Sequence, residues 1–347
     1  MPVPFVETPA LFPSEPSESA PCSTELARLG PTPVFSAFWS FAAERQAIFW
    51  RRMSQANPPW TNDPILGTFK FTNVYRASDR VSQYLIQNVI YAGNQNVDEV
   101  AFRVLLFKLF NKIQTWELLE HALGPIKTTT FSAETCDRAL TDALASGRPI
   151  YSAAYIMPSG SRTFRTERKH TAHLQVLQYM MNDGLPRKIA ACRTLQGLFT
   201  LLRSYPLLGD FLAYQYAVDL NYSDVINFEE SEFVVPGPGA RSGIAKCFSE
   251  RTKHSDGDII RMVTMHQEEE FRSRGIHFQW LGKRKLQLID VQNLFCEIDK
   301  YARVRFPEAH GTTSRTRIKQ RFTPNRAPIR YWYPPKWGIN ELFEKTA

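Results

Sequence analysis

PVFSAFWSFAAERQAIFWRRMSQ, residues 33–55, sets Phe38, Phe41 and Ile48 at three- and four-residue intervals, with Arg45, Arg51 and Arg52 toward its far end. Apolar side chains at that spacing line one face of a helix. The same period recurs along the chain. Asp79 is placed to open a helix through VSQYLIQNVIYAG that stops at Gly93, and VDEVAFRVLLFKLFNKI (97–113) is apolar enough to lie at the centre of a core. WELLEHALG, SAETCDRALTDALASG, HTAHLQVLQYMMNDG, KIAACRTLQGLFTLLRS and LGDFLAYQYAVDL each read as helices ending near Gly, Asn or Pro. Strand-like alternation is confined to PIYSAAYIM and EFVVPG, both short and bounded by breakers. The sequence therefore predicts an all-α fold of roughly ten or more helices, with minor β structure at most.

A chain of 347 residues can bury its core as one large domain or as two lobes. With 43% hydrophobic and 22% charged residues it is globular and not disordered. No apolar run is long enough to span a bilayer, and the Pro-, Ser- and Glu-rich start lacks the pattern of a secretory signal. Three regions are expected: a flexible leader over 1–33, a helical domain over 34–302, and a basic aromatic tail over 303–347. Five scattered cysteines without CxxC pairing fit reduced thiols in an intracellular compartment, nuclear in a eukaryote and cytoplasmic in a bacterium or virus. The formal charge of +8 raises nucleic acid as a partner. In the tail, Arg315, Arg317, Lys319, Arg321, Arg326, Arg330 and Lys336 alternate with Phe322, Tyr331, Trp332, Tyr333 and Trp337. Cations neutralise phosphates and rings stack on bases, so the tail suits a nucleic-acid arm; the alternative is a wrap that docks its aromatics on the core.

Three other segments carry candidate chemistry. NPPWTNDPILGTFKFTNVYRASDR (57–80) packs rigid, polar and aromatic residues into an apparent loop. In EFVVPGPGARSGIAKCF (232–248), Gly237 and Gly239 flank Pro238 ahead of a helix expected from Ala240, a terminus whose N–H groups attract phosphate, with Arg241, Gly243 and Lys246 following. The alternative is a plain helical connection. In LQLIDVQNLFCEIDKY (286–301), Asn293, Glu297, Lys300 and Tyr301 share a helical face with Asp290 one turn earlier, while Leu294 and Ile298 point to a core. That face is either a salt-bridge stripe or a set able to orient a nucleophile or stabilise a cation. No P-loop, GxGxxG or GxSxG is present, and His170 with His173 lack a third metal ligand.

FAAERQAIFWRR, PPWTNDPIL with FKFTNVYRASDR, FVVPGPGARSGIAK and LIDVQNLFCEIDKY occur in that order between about Phe35 and Lys300. The series resembles the DNA-base hypermodification proteins: the helical domain of 5-hydroxymethyldeoxyuridine DNA kinases and the related α-glutamyl/putrescinyl-thymine pyrophosphorylases. The resemblance implies a divergent helix-hairpin-helix, DNA-glycosylase-like fold whose hairpin, Gly237, Gly239, Ala240, Arg241, Gly243 and Lys246, holds the DNA backbone. It implies replacement of pyrophosphate on an activated 5-hydroxymethyluracil by an amine or amino acid. Asp79, Asp290 and Glu297 are then candidate bases, with Lys300 beside them. Arg45, Arg76 and Arg80 would meet the leaving pyrophosphate, Trp60 or Tyr75 would receive the flipped base, and Thr61, Asp63 and Asn73 would complete the substrate site. A separate DNA kinase or thymine hydroxylase would act alongside. No cofactor, metal or membrane is implied, and without a P-loop the chain would not itself be a complete kinase. A glycosylase-like excision enzyme and a non-catalytic DNA-binding module are the alternatives. The active-site reading expects residues 60–80, the hairpin and the Asp290–Glu297 face to line one cleft.

Overall fold

The computed structural model describes residues 23–54, 57–324 and 330–344. They form helices joined by loops, with three isolated bridges and no strand among them. The chain divides into two compact units, one built from residues up to Ser78, Pro236–Arg330 and residues from Glu341, the other from Asp79–Val235 and Tyr331–Asn340. Among the described residues no helix is long and apolar enough to cross a membrane.

In the first unit the helix Pro33–Ser54 buries Phe35, Phe38, Trp39, Phe41 and Phe49; Phe38 and Phe41 follow the expected period, whereas Ile48 is only half-buried. Phe38 meets Phe295 of the helix Leu288–Arg305 at 4.8 Å between ring centroids, and Phe41 meets Tyr301 at 5.3 Å. A third helix, Pro238–Cys247, begins two residues before the expected Ala240, because Pro238 at the first turn needs no N–H partner. It lies so close to Leu288–Arg305 that a Cβ on Gly243 would stand 1.9 Å from the Phe295 carbonyl oxygen. Most of the expected leader, residues 1–22, lies outside the described residues. Its end does not behave as a loose segment: Leu26 and Leu29 are buried, and the Ser23 N–H donates to Glu270 Oε1 at 2.8 Å.

Asp256–Met265 and Gln267–Ser273 are helices at positions where the sequence reading places none. The signal for the first was present: Ser255 and Asp258 cap each other's backbone N–H reciprocally.

In the second unit, Val97–Phe110 is buried on nearly every side, as its composition predicts. It stops at Asn111, which takes a left-handed φ of 47°, so the apolar run does not continue to Ile113. The segment after Asp79 is helical over Arg80–Tyr84 and widens into a π-turn over Leu85–Ile90. Buried Arg103 donates to the freed carbonyls of Val89 (2.7 Å) and Ile90 (3.0 Å). The single helix expected over 188–204 is two, Leu185–Ala191 and Leu195–Arg203, because Cys192 adopts an extended backbone and Thr194 caps the second one. PIYSAAYIM and EFVVPG form no strand. The aromatics of 331–337 dock here: Trp332 packs on Tyr91, Trp337 on Tyr222, and Lys336 donates to the Ser223 and Ile226 carbonyls at 2.8 Å.

His173 is sealed in this unit between the Tyr151 hydroxyl and the Pro158 carbonyl, both at 2.8 Å. Burial lowers its pKa to about 4, and burial lowers that of His170 as well. An unfolded histidine binds a proton near pH 6.5, so between that value and about 4 the unfolded chain carries the extra proton. Stability should fall as pH drops through this window, by about 3 kcal/mol for His173. Urea unfolding from pH 7 to 4.5 should show that loss, and His173→Gln should flatten it; an equal slope in the variant would count against the assignment.

Gly243→Ala forces the Cβ into backbone that cannot yield, and should cost roughly 2–4 kcal/mol. Gly239→Ala has its tightest contact with the Cys296 sulfur, at 3.1 Å, and should cost less. Denaturation midpoints of the two variants check the order.

Candidate functional site

The site is built from the loop 57–78 and the helix Leu288–Arg305, both in the first unit. The loop is rich in backbone donors that no regular structure satisfies, and buried carboxylates take them up. Asp63 caps the short helix Pro64–Thr68, accepting from the N–H groups of Ile65 and Leu66 at 2.8 Å each. Its other oxygen accepts from the Tyr301 hydroxyl at 2.8 Å. Burial, with the Asp63 carboxylate beside it, pushes the Tyr301 phenol well above its ordinary pKa, so it stays a donor.

Farther along the loop, Glu297 accepts the Thr72 N–H at 3.0 Å and pairs with Lys300 at 2.6 Å. Lys300 also donates to the Lys70 carbonyl at 3.1 Å. Asp290 accepts the N–H of Arg76 at 2.8 Å with one oxygen and that of Gln287 at 3.0 Å with the other, so the first turn of its own helix is fixed to the loop. Arg45, from the helix Pro33–Ser54, reaches the Thr72 carbonyl and the Asn73 side chain, both at 2.9 Å, and the Asn73 amide donates to the Ser78 carbonyl at 2.7 Å. Tyr75 is buried and donates to the Arg284 carbonyl at 2.7 Å; burial raises its pKa.

Glu44 was not singled out from the sequence, yet it anchors the other end of the loop. It accepts from the Thr61 hydroxyl at 2.7 Å and from Arg51 at 2.8 Å, while Arg51 also donates to the Trp60 carbonyl at 2.8 Å. The motif FAAERQ contained it, but a helical Glu seven residues before Arg51 gives no sign of which loop it will meet. Trp60 is buried against Phe322 at 6.4 Å, with the Arg52 guanidinium 5.6 Å from its ring centre.

The loop thus meets the late helix at Asp63 with Tyr301, Lys70 with Lys300, Thr72 with Glu297 and Arg76 with Asp290, and Arg45 joins it at Thr72 and Asn73; Trp60 and Thr61 are held instead by Arg51 and Glu44. Asp79 and Arg80 belong to the second unit, where the Asp79 carbonyl accepts from Gln83 at 2.8 Å and Arg80 is exposed. The hairpin residues contact the other side of Leu288–Arg305. Gly239 faces Cys296, Gly243 faces Phe295, and Ser242 donates to Asp299 at 2.7 Å. Asp299 follows Glu297 by two residues, about 200° around a helix, so the helix stands between the loop and the hairpin. The cleft shared by all three segments is therefore not formed: the intervening helix body is filled with Phe295 and Ile298. Lys246 is buried, its ammonium 3.1 Å from Asp299, and Ala240 and Gly243 are buried also. Arg241 is exposed and donates to the Pro236 carbonyl at 3.2 Å. Cys296 is no nucleophile at neutral pH, since burial drives its pKa up to about 12. Among the described residues no group of His, Cys, Asp and Glu is arranged to hold a metal.

These features define a class: an all-α protein whose polar loop is sewn to one late helix by buried carboxylates and tyrosine. The chain belongs to the family described as the 5-hmdU DNA kinase helical domain, which matches residues 32–311. It is 26% identical to a 5-hmdU DNA kinase of Bacillus phage SP10, over 74% of this chain and 43% of that protein. The chain thus corresponds to less than half the length of that relative. No solved structure matches it.

Tyr301→Phe removes one buried donor from Asp63 and should cost about 1 kcal/mol. Asp63→Ala removes the cap as well as the acceptor and should cost about 2–3 kcal/mol. In the double variant the two losses should fall short of additivity, which chemical denaturation of all three proteins measures.

Proposed function

We propose that the chain modifies 5-hydroxymethyluracil in DNA, and that its reaction is replacement of pyrophosphate on the activated base by an amine. The observation that carries the reading is the reach of the family match, residues 32–311, which covers every residue of the loop–helix seam. These 347 residues hold no GxxxxGK[ST] loop, so they offer no cradle of that kind for ATP phosphates.

In the proposed step the amine lone pair forms a bond to the 5-methylene carbon as the carbon–oxygen bond to pyrophosphate breaks. The leaving group takes that electron pair, and one amine proton passes to a carboxylate. Glu297 suits the base: it lies beside the half-exposed Lys300, whereas Asp290 has both oxygens turned to backbone N–H groups and fits a positioning role. Lys300 and Arg45, from two different helices, supply positive charge against the same loop, donating to the Lys70 and Thr72 carbonyls. The amine or amino acid is the co-substrate, and a separate kinase would supply the activated base.

DNA carrying pyrophosphorylated 5-hydroxymethyluracil, incubated with amines and digested, should yield an amine-bearing nucleoside by mass spectrometry. A free base with an abasic site would point to excision instead, and unchanged DNA that is nevertheless bound would point to a binding module. Glu297→Gln should retain DNA binding and lower turnover by about 10²–10⁴-fold. Activity equal to the unmodified protein would remove Glu297 from the reaction.

A further inference from the structure

Residues 315–321 read Arg-Thr-Arg-Ile-Lys-Gln-Arg, with a cation at every second position. Side chains two apart share one side of an extended chain. The segment has no helical turn, and three backbone contacts hold it on the first unit. The Lys70 N–H donates to the Gln320 carbonyl at 3.0 Å and the Phe322 N–H to the Thr68 carbonyl at 2.9 Å, pairing Phe69 antiparallel with Arg321. Arg303 donates to the Arg317 carbonyl at 3.2 Å. The intervening Ile318 is half-buried, while Arg315, Arg317, Lys319 and Arg321 are all exposed.

At about 6.6 Å for every two residues of strand, the four cations form a row some 20 Å long. None of them enters an ion pair among the described residues, and the sequence has no Asp or Glu between Glu308 and Glu341. Like charges in a row repel one another, a cost that an aligned polyanion removes. The row also ends at the candidate site, because Lys70, which pairs with it, gives its carbonyl to Lys300.

We propose that residues 315–321 are a rail for the phosphodiester backbone of a DNA strand, holding the stretch beside the base offered to the loop–helix seam. The inference rests on the DNA reading above, and it divides the tail by role: the cations of 315–321 face the nucleic acid, whereas the aromatics of 331–337 are packing residues of the second unit.

The test is a salt titration of DNA affinity by fluorescence anisotropy, on duplex and on single-stranded oligonucleotides. Each phosphate contact adds about 0.7–0.9 to the slope of log affinity against log salt. Replacing all four cations by Gln should therefore reduce the slope by about 3, and R315Q/R317Q or K319Q/R321Q alone by about 1.5 each. The charge-preserving R315K/R317K/R321K should keep the original slope. The Gln substitutions lie on exposed side chains, so circular dichroism should show the folded helix content unchanged. Salt-dependent binding of equal slope in the protein and all Gln variants would overturn the rail and leave the DNA reading intact. Absence of salt-dependent DNA binding by the unaltered chain would overturn both.

Discussion

The first unit depends on one close approach, Gly243 against the carbonyl of Phe295. Any side chain at 243 would push the helix Pro238–Cys247 off Leu288–Arg305. The small residues Gly239, Ser242 and Gly243 let the two backbones touch, and the contact sets the height and rotation of Leu288–Arg305. With that rotation fixed, Asp290, Glu297 and Tyr301 come out on the far face, where the loop 57–78 must find them. A helix turned by one residue would carry these groups about 100° away from the loop's N–H donors.

The same contact buries charge. Asp299 is sealed under the hairpin helix with Lys246, Arg303 and the Ser242 hydroxyl around it. A lone buried carboxylate would be strongly unfavourable, and two cations with a hydroxyl donor offset most of that cost without making the cluster a large source of stability. Its effect is specificity: only one register of the two helices satisfies Asp299. On the opposite face Glu44 and Asp63 do the corresponding work for the loop, each accepting from more than one donor. The loop is therefore held rigid by side chains that are themselves buried, which is the condition for presenting reactive groups at fixed positions.

The helical character of the chain was legible because amphipathic spacing and caps act locally. Leu288–Arg305 and most of Pro33–Ser54 follow their apolar period, and Val97–Phe110 follows its uniformly apolar composition. Boundaries were lost where a single residue overrides the period, as at Asn111 with its left-handed backbone and at the Cys192–Thr194 break. The π-turn at Leu85–Ile90 had no local signal, since the arginine that takes up its carbonyls lies on a later helix. Pro58, Pro59, Trp60 and Asp63 marked the loop as unusual, and Asp290, Glu297 and Tyr301 were placed on one face. Glu44 and Asp299 passed unnoticed because no helical spacing links Glu44 to Thr61, or Asp299 to Ser242 and Lys246.

The sequence by itself determined the all-α class, the family of motifs and their order, and the cation at every second position from 315 to 321, because all of these reside in local spacing. Only the tertiary structure decided that the loop and the helix Pro238–Cys247 take opposite faces of Leu288–Arg305, that Lys246 is a buried partner of Asp299 and not a surface cation, and that the aromatics of 331–337 pack while the cations of 315–321 stay outside. A helical period states which residues share a face. Which neighbour covers that face depends on long-range packing: the fit of a glycine against a carbonyl and the need of each buried carboxylate for its donors.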